Sequence, residues 1–404
     1  MNGCWNYRWG AAGFFAAISV KENYPSARVT ILEKSKKVLA KVKISGGGRC
    51  NVTNGCNSIS ELVKAYPRGG RCLKKAFHIF SNKDTISWFE SRGVKLVTQS
   101  DGCVFPQSQN SQTIIDCLTS QAKRLGVVII TGKPVNSITI ENDKLEIGIS
   151  NSDESYTFNK VIATTSGSPK RAGLHWLEGL GHKISNPVPS LFSFNIPNQH
   201  VTQLMGIVVD NVILGIQGTK IKSEGALLIT HWGMSGPAIL MLSSFAARKV
   251  SEMSYNFNLQ VNWISQPNNE LVATELFEQS KSNPKKQLAN ARLYNLPERL
   301  WEYLLAKAEL PLNKKWEELG KRAINKLVET LTNDIYQVKG KAIHKKEFVT
   351  CGGVSLESVD LNTMQSKVCK NFYFAGEVLD VDAITGGLNL QAAWTTGYIA
   401  GQLG

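Results

Sequence analysis

Gly10-Ala11-Ala12-Gly13-Phe14-Phe15-Ala16-Ala17, followed by Arg28-Val29-Thr30-Ile31-Leu32-Glu33, is the stretch that decides the fold. Residues Ala11 to Val20 are small and apolar, as suits the first helix of a βαβ unit. Arg28 to Leu32 reads as a buried strand. A dinucleotide-binding turn runs strand, G-x-G-x-x-G, helix: the glycines let the backbone approach a pyrophosphate seated on the helix N-terminus. Gly10 and Gly13 occupy the second and third glycine positions. Glu33 lies 20 residues beyond Gly13, where an acidic side chain takes the ribose hydroxyls. The expectation is an α/β fold with a Rossmann-like sheet.

Upstream the pattern breaks. Arg8 stands at the first glycine position, and Met1 to Trp9 makes a poor buried strand. Back-translated and read one base later, the opening codons permit Met-Val-Val-Gly-Ile-Ile-Gly-Gly. One added base at Trp9-Gly10 then restores the frame. We therefore read residues 1–9 as a frameshifted form of a complete strand and fingerprint. Resequencing the 5′ end tests this: an unambiguous in-frame reading removes a sequencing error as the cause.

Downstream, residues 75–92 and 111–125 read as helices, Lys133 to Ile149 as a β-meander, and Lys160 to Thr164 as a short buried strand. From about Pro187 the character changes: strand-like runs at 190–196, 206–216 and 225–231 precede a Lys/Glu/Leu-rich helical stretch over roughly 268–333, interrupted by Pro284, Pro297 and Pro311. Phe372-Tyr373-Phe374-Ala375 then returns as a strand, with a closing helix from Leu390 to Leu403. The spacing predicts one discontinuous α/β domain, 1–187 and 345–404. Residues 188–344 form an insertion, β-rich over 188–265 and helical over 266–333.

The composition, 42% hydrophobic and 19% charged over 404 residues, is that of a globular chain with two or three domains. No apolar run approaches the roughly 20 residues of a membrane helix. The N-terminus lacks a secretory pattern, so a cytoplasmic protein is expected. The eight cysteines contain no C-x-x-C and no zinc-like spacing, and neither a disulfide framework nor a metal site is expected. The net charge of +14 is gathered in clusters such as Lys34 to Lys43, Arg68 to Lys75, Lys285-Lys286 and Lys345-Lys346. It favours a polyanionic partner.

Two further blocks point to a flavin. Ser45-Gly46-Gly47-Gly48-Arg49-Cys50-Asn51-Val52-Thr53-Asn54 spends three glycines, which are entropically costly and imply backbone held against a ligand. Five residues separate Cys50 from Cys56, one more than in flavin disulfide reductases, so Cys50 is read as a packing or flavin-adjacent thiol. Near the C-terminus, Phe374 to Asp382 forms a strand entering an acidic turn that can set a carboxylate on a ribityl chain. Thr385-Gly386-Gly387-Leu388-Asn389-Leu390-Gln391 then opens a helix whose dipole would stabilise negative charge on a reduced ring.

With these blocks and Thr230-His231-Trp232-Gly233-Met234-Ser235-Gly236-Pro237, the chain resembles, nearly end to end, the YhiN/BaiN/RdsA-like flavoproteins, a group labelled aminoacetone oxidase family FAD-binding enzymes. The resemblance implies a glutathione-reductase-type FAD domain interrupted by a β-barrel-like and a helical subdomain. It implies FAD contacts at Gly10, Gly13, Glu33, Gly47, Gly48, Arg49, Asn51, Val135, Thr164, Gly376, Glu377, Asp380, Gly387, Asn389 and Gln391. It also implies reduction of carbon–carbon double bonds, in steroid-type enones or in ribosomal RNA uridine. The chain departs from the family at Arg8 and at Ala163-Thr164-Thr165-Ser166-Gly167-Ser168-Pro169, where an Ala-Thr-Gly-Gly block is expected.

No second G-x-G-x-x-G follows a later strand, so NAD(P)H is expected as a visiting electron donor rather than a resident. Candidate proton donors are Cys50, His231 and Asp382. Pro237 breaks the nucleophile-elbow pattern and disfavours a serine hydrolase. Two rivals stand beside the RNA uridine reductase: a small-molecule enone or amine oxidoreductase, and a non-catalytic RNA-binding protein on a flavoprotein fold. Neutralising Lys285, Lys286, Lys345 and Lys346 is expected to weaken RNA binding.

Overall fold

The computed structural model describes residues 10–341 and 349–404, together with the backbone course of Cys4–Tyr7. They divide into two compact units, Met1–Pro189 with Val349–Gly404, and Ser190–Phe348.

In the first unit, β1 (Cys4–Tyr7) leads to α1 (Ala11–Asn23) and β2 (Val29–Glu33). An excursion containing α2 (Gly70–Ile79) precedes β3 (Val128–Thr131) and β4 (Lys160–Ala163). The second segment adds β5 (Phe372–Phe374) and α3 (Leu388–Ala400). These five strands are parallel in the order β5-β4-β1-β2-β3, with a short antiparallel pair, Val359–Asp360 and Gln365–Ser366, beside β5. The order reverses at β1, whose neighbours are β2 and β4. In such sheets the ligand crevice lies at this reversal, outside the carboxyl ends of the strands.

β1 occupies the centre of the sheet, with Cys4 paired to both Val29 and Lys160. Local sequence read this stretch as a poor strand. Pairing with both β2 and β4 satisfies the backbone groups on either side and fixes the extended conformation that Trp5 and Tyr7 favour and Asn6 does not. Arg8 and Trp9 lie outside the described residues.

α1 is apolar all round, and its residues from Ala11 to Val20 are all buried, as expected for a helix sandwiched between a sheet and another helix. That other helix is α3, which packs parallel to α1. A Cβ on Gly397 would lie 2.7 Å from the Ala12 carbonyl oxygen, so only glycine allows this approach. Ser19 donates to the Tyr398 carbonyl at 2.8 Å, and Gly401 meets Ser19 one turn further on. Trp394, fully buried, packs its ring against Phe15 and Phe89 and donates from Nε1 to the Val52 carbonyl. The strands Val135–Glu141, Lys144–Ile149 and Ser155–Phe158 form the expected antiparallel meander.

The second unit is built on a six-stranded antiparallel sheet in the order Phe194–Asn195, Gly233–Ser235, Lys222–Thr230, Val208–Ile216, Asn256–Asn262 and Asp334–Lys339. The Asn195 amide donates to the Gly340 carbonyl at 3.1 Å, bringing the two edges together in a near-barrel. Helices Asn269–Ser282, Glu298–Lys307 and Lys321–Thr332 follow the chain breaks set by Pro284, Pro297 and Pro311. Buried Asp334 accepts from Trp263 Nε1 at 2.9 Å and from the Tyr336 hydroxyl, and pairs with Lys307. A buried acid so fully partnered is a structural feature. Among the described residues no helix is long and apolar enough to cross a membrane.

Candidate functional site

The residues at the carboxyl ends of β1, β2, β4 and β5 converge on one another. α1 begins at Gly10, which has extended backbone and offers no side-chain cap, and its first turn carries no acid. Its N-terminus thus presents a positive dipole end that favours an anion. Gly376 packs directly on this turn: a Cβ there would stand 2.7 Å from that of Ala12. Its amide donates to Thr396 Oγ1 at 2.9 Å, fixing the end of β5 against α3.

Glu33 ends β2 and is buried. Its Oε1 accepts from the Ser35 amide at 2.7 Å and the Ser35 hydroxyl at 2.6 Å, which fixes the carboxylate in place. The Lys133 amide donates to the Glu33 carbonyl, so the turn before Val135 lies beside the same strand end. Thr164 and Thr165 follow β4, both buried. Thr165 Oγ1 is shielded from solvent and, among the described residues, has no hydrogen-bond partner. A buried hydroxyl left so is costly unless a ligand satisfies it.

The second half of the site is the Ser45–Asn54 loop. Gly46, Gly47 and Gly48 are all left-handed, with φ of 55°, 69° and 89°, and Cys50 follows at 63°. A Cβ on Gly47 or Gly48 would touch nothing within 4 Å, so this backbone faces open space. The loop docks on the entry to α3: a Cβ on Gly387 would fall 2.6 Å from Asn51 Oδ1 and 2.5 Å from the Thr53 carbonyl. Asn51 Oδ1 accepts from the Val104 amide, and the exposed Arg49 lies over the Phe105 ring at 4.1 Å. α3, like α1, starts at an uncapped glycine with no acid in its first turn. Because Gly397 lies against Ala12 and Ala16, the first turns of α3 extend past the start of α1.

Two uncapped helix N-termini, a fixed carboxylate, an orphaned hydroxyl and an open glycine loop fit an extended dinucleotide. Its pyrophosphate suits α1, its ribose Glu33, and its second ring the Gly47–Gly48 loop and α3.

Several side chains proposed from sequence as ligand contacts are instead committed to the protein. Gln391 accepts from Thr53 Oγ1 at 2.5 Å and donates to Thr395, fully buried. Asn389 holds the Ala383 amide and carbonyl and so staples the turn before α3. The Gln391 backbone amide is committed too, donating to the Gly387 carbonyl at 3.0 Å. Glu377 is partly exposed, accepts from the Thr350 amide at 3.1 Å and pairs with Lys41 at 2.6 Å. The Asp380 amide donates to the Val354 carbonyl.

The three proton-donor candidates part company. Cys50 is buried, and desolvation pushes its thiol up to about 11 despite a hydrogen bond with Ser45. A thiol held so is a poor acid at neutral pH. Cys50 and Cys56 are both free thiols. Asp382 is fully buried and gripped by Arg68, with Nε to Oδ1 at 2.6 Å and a second contact from Nη2 to Oδ2. That geometry makes it an anchor rather than a donor. His231 is exposed on the turn between Lys222–Thr230 and Gly233–Ser235 of the second unit, its ring edge-on to Trp232.

Sequence reading missed Ser35, Lys41, Arg68 and Thr165 as parts of this assembly. Only Thr165, in the altered block after β4, carried a signal. Lys285 and Lys286 are exposed in the second unit, and Lys345 and Lys346 lie outside the described residues. Among the described residues no group of three or more His, Cys, Asp or Glu is placed to hold a metal.

The chain aligns over 97% of its length with 96% of the 3-dehydro-bile acid delta(4,6)-reductase of Clostridium scindens, at 25% identity. It aligns over 97% with 95% of the ribosomal RNA dihydrouridine synthase of Escherichia coli, at 28% identity. In fold it is similar to the 3-ketosteroid delta1-dehydrogenase of Sterolibacterium denitrificans, with a TM-score of 0.54, 11% identity and 99% of each chain covered. A family model described as HI0933-like protein Rossmann domain matches residues 9–403. The chain therefore belongs to the HI0933-like family, a Rossmann-type group of FAD-dependent oxidoreductases.

Proposed function

We propose that this protein reduces a carbon–carbon double bond conjugated to a carbonyl, with uridine in ribosomal RNA, converted to dihydrouridine, as its substrate class. The observation that carries this reading is the concentration of charge: residues 34–83, which include the glycine loop of the site, contain twelve Lys and Arg but only one acid, Glu61. An RNA substrate needs such a surface, whereas a small enone does not. The relatives fit the chemistry. A delta(4,6)-reductase acting on a 3-dehydro-bile acid and a dihydrouridine synthase both saturate an alkene polarised by a carbonyl.

When bound and reduced by NAD(P)H, the proposed visiting donor, FAD would supply the hydride, and the second hydrogen would arrive as a proton from solvent. The protein's part is placement. The α1 turn takes the pyrophosphate, Glu33 the ribose and Thr165 a neighbouring oxygen. Lys41 holds Glu377 beside the end of β5. The N-terminus of α3 stabilises negative charge on the adjoining ring.

The test is the visible spectrum of the purified protein before and after anaerobic NADPH or NADH, followed by incubation with an unmodified ribosomal RNA transcript. Flavin bands bleached by the nicotinamide, with dihydrouridine formed in the RNA, are expected. Turnover of a 4-en-3-one steroid with no change in the RNA would transfer the function to small molecules. RNA binding by a protein that cannot be reconstituted with FAD would leave only the non-catalytic reading.

A further inference from the structure

The excess of cations over residues 34–83 is not spread evenly once the chain is folded. Lys41 is spent on Glu377 and Arg68 on Asp382. The single acid, Glu61, accepts from the Asn57 amide through Oε2, and the next along, Asp84, is folded back onto the Ser81 amide and hydroxyl. Both acids therefore serve helix starts.

What remains outward falls in two groups, Lys34 to Arg49 around the glycine loop and the residues on and beside α2, and only the second is arrayed along one helix face. Leu73, Ala76 and Phe77 bury one side of this helix. Arg71, Lys74, Lys75 and His78 are exposed, at a spacing that places them on one face over roughly 10 Å. Lys64 and Lys83 flank them. Arg71, Lys74, Lys75, Lys64 and Lys83 form no ion pair among the described residues. Beside α2 opens a cleft of about 440 Å³ whose lining includes Lys74, His78 and Lys83 with Ser58 and Ser60, the Ser81 hydroxyl there being held by Asp84. Cations interleaved with hydroxyls are the donor set that phosphate oxygens select.

This face is tied to the site. The Tyr66 hydroxyl donates to the carbonyl of Leu388, the first residue of α3, at 2.6 Å. Arg68 grips Asp382 in the turn that leads there. The α2 face thus stands on the same framework as the ring end of the dinucleotide site.

We propose that the exposed face of α2 and its adjoining cleft form the track for the phosphate backbone of the RNA substrate. This rests on the RNA reading given above. It moves the RNA contact away from Lys285 and Lys286, which share their surface with Glu317 and Glu318: the Glu317 amide donates to the Pro284 carbonyl. Repulsion from those acids offsets what the two lysines offer a polyanion.

The experiment measures binding of a fluorescein-labelled, unmodified ribosomal RNA transcript by the flavin-loaded protein across a salt series. Three proteins are compared: wild type, Arg71→Gln/Lys74→Gln/Lys75→Gln and Lys285→Gln/Lys286→Gln. Each phosphate contact contributes about 0.7–0.9 to the slope of log K against log salt. The triple variant is expected to lose about 2–3 of that slope and about 10–100-fold in affinity. The double variant should keep both. Lys83→Gln alone should lower the slope by about one contact, which guards against a folding defect in the triple variant. Flavin absorbance and NADPH bleaching should be unchanged in every variant. A triple variant that binds as wild type does, or a loss confined to the Lys285/Lys286 variant, overturns the assignment while leaving the RNA reading intact. Wild type that binds no RNA overturns both. Displacement of the RNA by poly-glutamate at equal charge would assign α2 to an acidic protein partner instead, and also overturns the proposal.

Discussion

Asp382 separates two accounts of the turn before α3, one in which its carboxyl protonates substrate and one in which its carboxylate anchors the turn. The structure favours the anchor. The side chain is fully buried, that of Arg68 only 11% exposed, and the guanidinium meets both carboxylate oxygens. Truncating one partner of such a pair strands a buried charge and costs about 3–5 kcal/mol, whereas replacing both with apolar groups of similar volume is near neutral. Arg68→Ala should therefore lower the melting temperature by about 6–20 °C for a unit of this size. Flavin retention should fall with it, because the pair ties the chain entering α2 to the turn entering α3. Asp382→Asn should act in the same direction, leaving the guanidinium without its counter-charge.

The decisive variant is the double replacement Arg68→Met/Asp382→Leu, assayed by urea unfolding, flavin release and turnover on the RNA transcript. An anchoring pair predicts that the double variant regains most of the stability, the flavin and the turnover lost in either single variant. The opposite pattern would refute this reasoning. It would consist of an Asp382→Asn protein that melts and holds flavin as wild type does but turns nothing over, and a double variant that stays inactive. Asp382 would then be the reacting acid.

Gly47→Ala should cost about 1–2 kcal/mol of stability from the left-handed backbone alone, since a Cβ there meets no atom. FAD affinity should fall by more than that strain accounts for, measured by titration of the apoprotein. Thiol labelling at pH 8 should modify exposed Cys72 at once and Cys50 only after unfolding, because a thiol held near 11 is about one part in a thousand thiolate there. Burial lowers the His182 pKa below its ordinary 6.5, its ring nitrogens meeting the Leu177 carbonyl and the Ser366 hydroxyl. The unfolded chain then binds the proton more readily, so stability should be complete above about pH 6.5 and decline as the pH falls through the folded value. Urea midpoints between pH 7.5 and 5 should show that decline, and His182→Gln should flatten it.

What the sequence made legible, and what it hid, follows from how far apart the partners lie. Backbone-driven features could be read locally: Gly10 and Gly13 at a turn, Glu33 closing a buried strand, the left-handed run at Gly46 to Gly48, the prolines that divide the helices of the insertion. Each depends on neighbours within a few residues. The side-chain roles did not follow in the same way. Asn389, Gln391 and Asp382 sit in a glycine-rich turn where polar side chains suggest a ligand. Yet Gln391 spends its amide on Thr53, 338 residues away, and Asp382 its carboxylate on Arg68, 314 residues away. No local pattern announces those pairings, because hydrogen-bond demand at a buried position is met by whatever the fold brings near. β1 makes the same point in reverse. Trp5 and Tyr7 favour a strand and Asn6 does not, and parallel neighbours on both sides fix the extended conformation that the local pattern left undecided. The same logic separates the two classes of lysine. A cluster in sequence says only that charge is dense, and it takes the fold to show that Lys41 and Arg68 neutralise acids while Arg71, Lys74 and Lys75 face outward together.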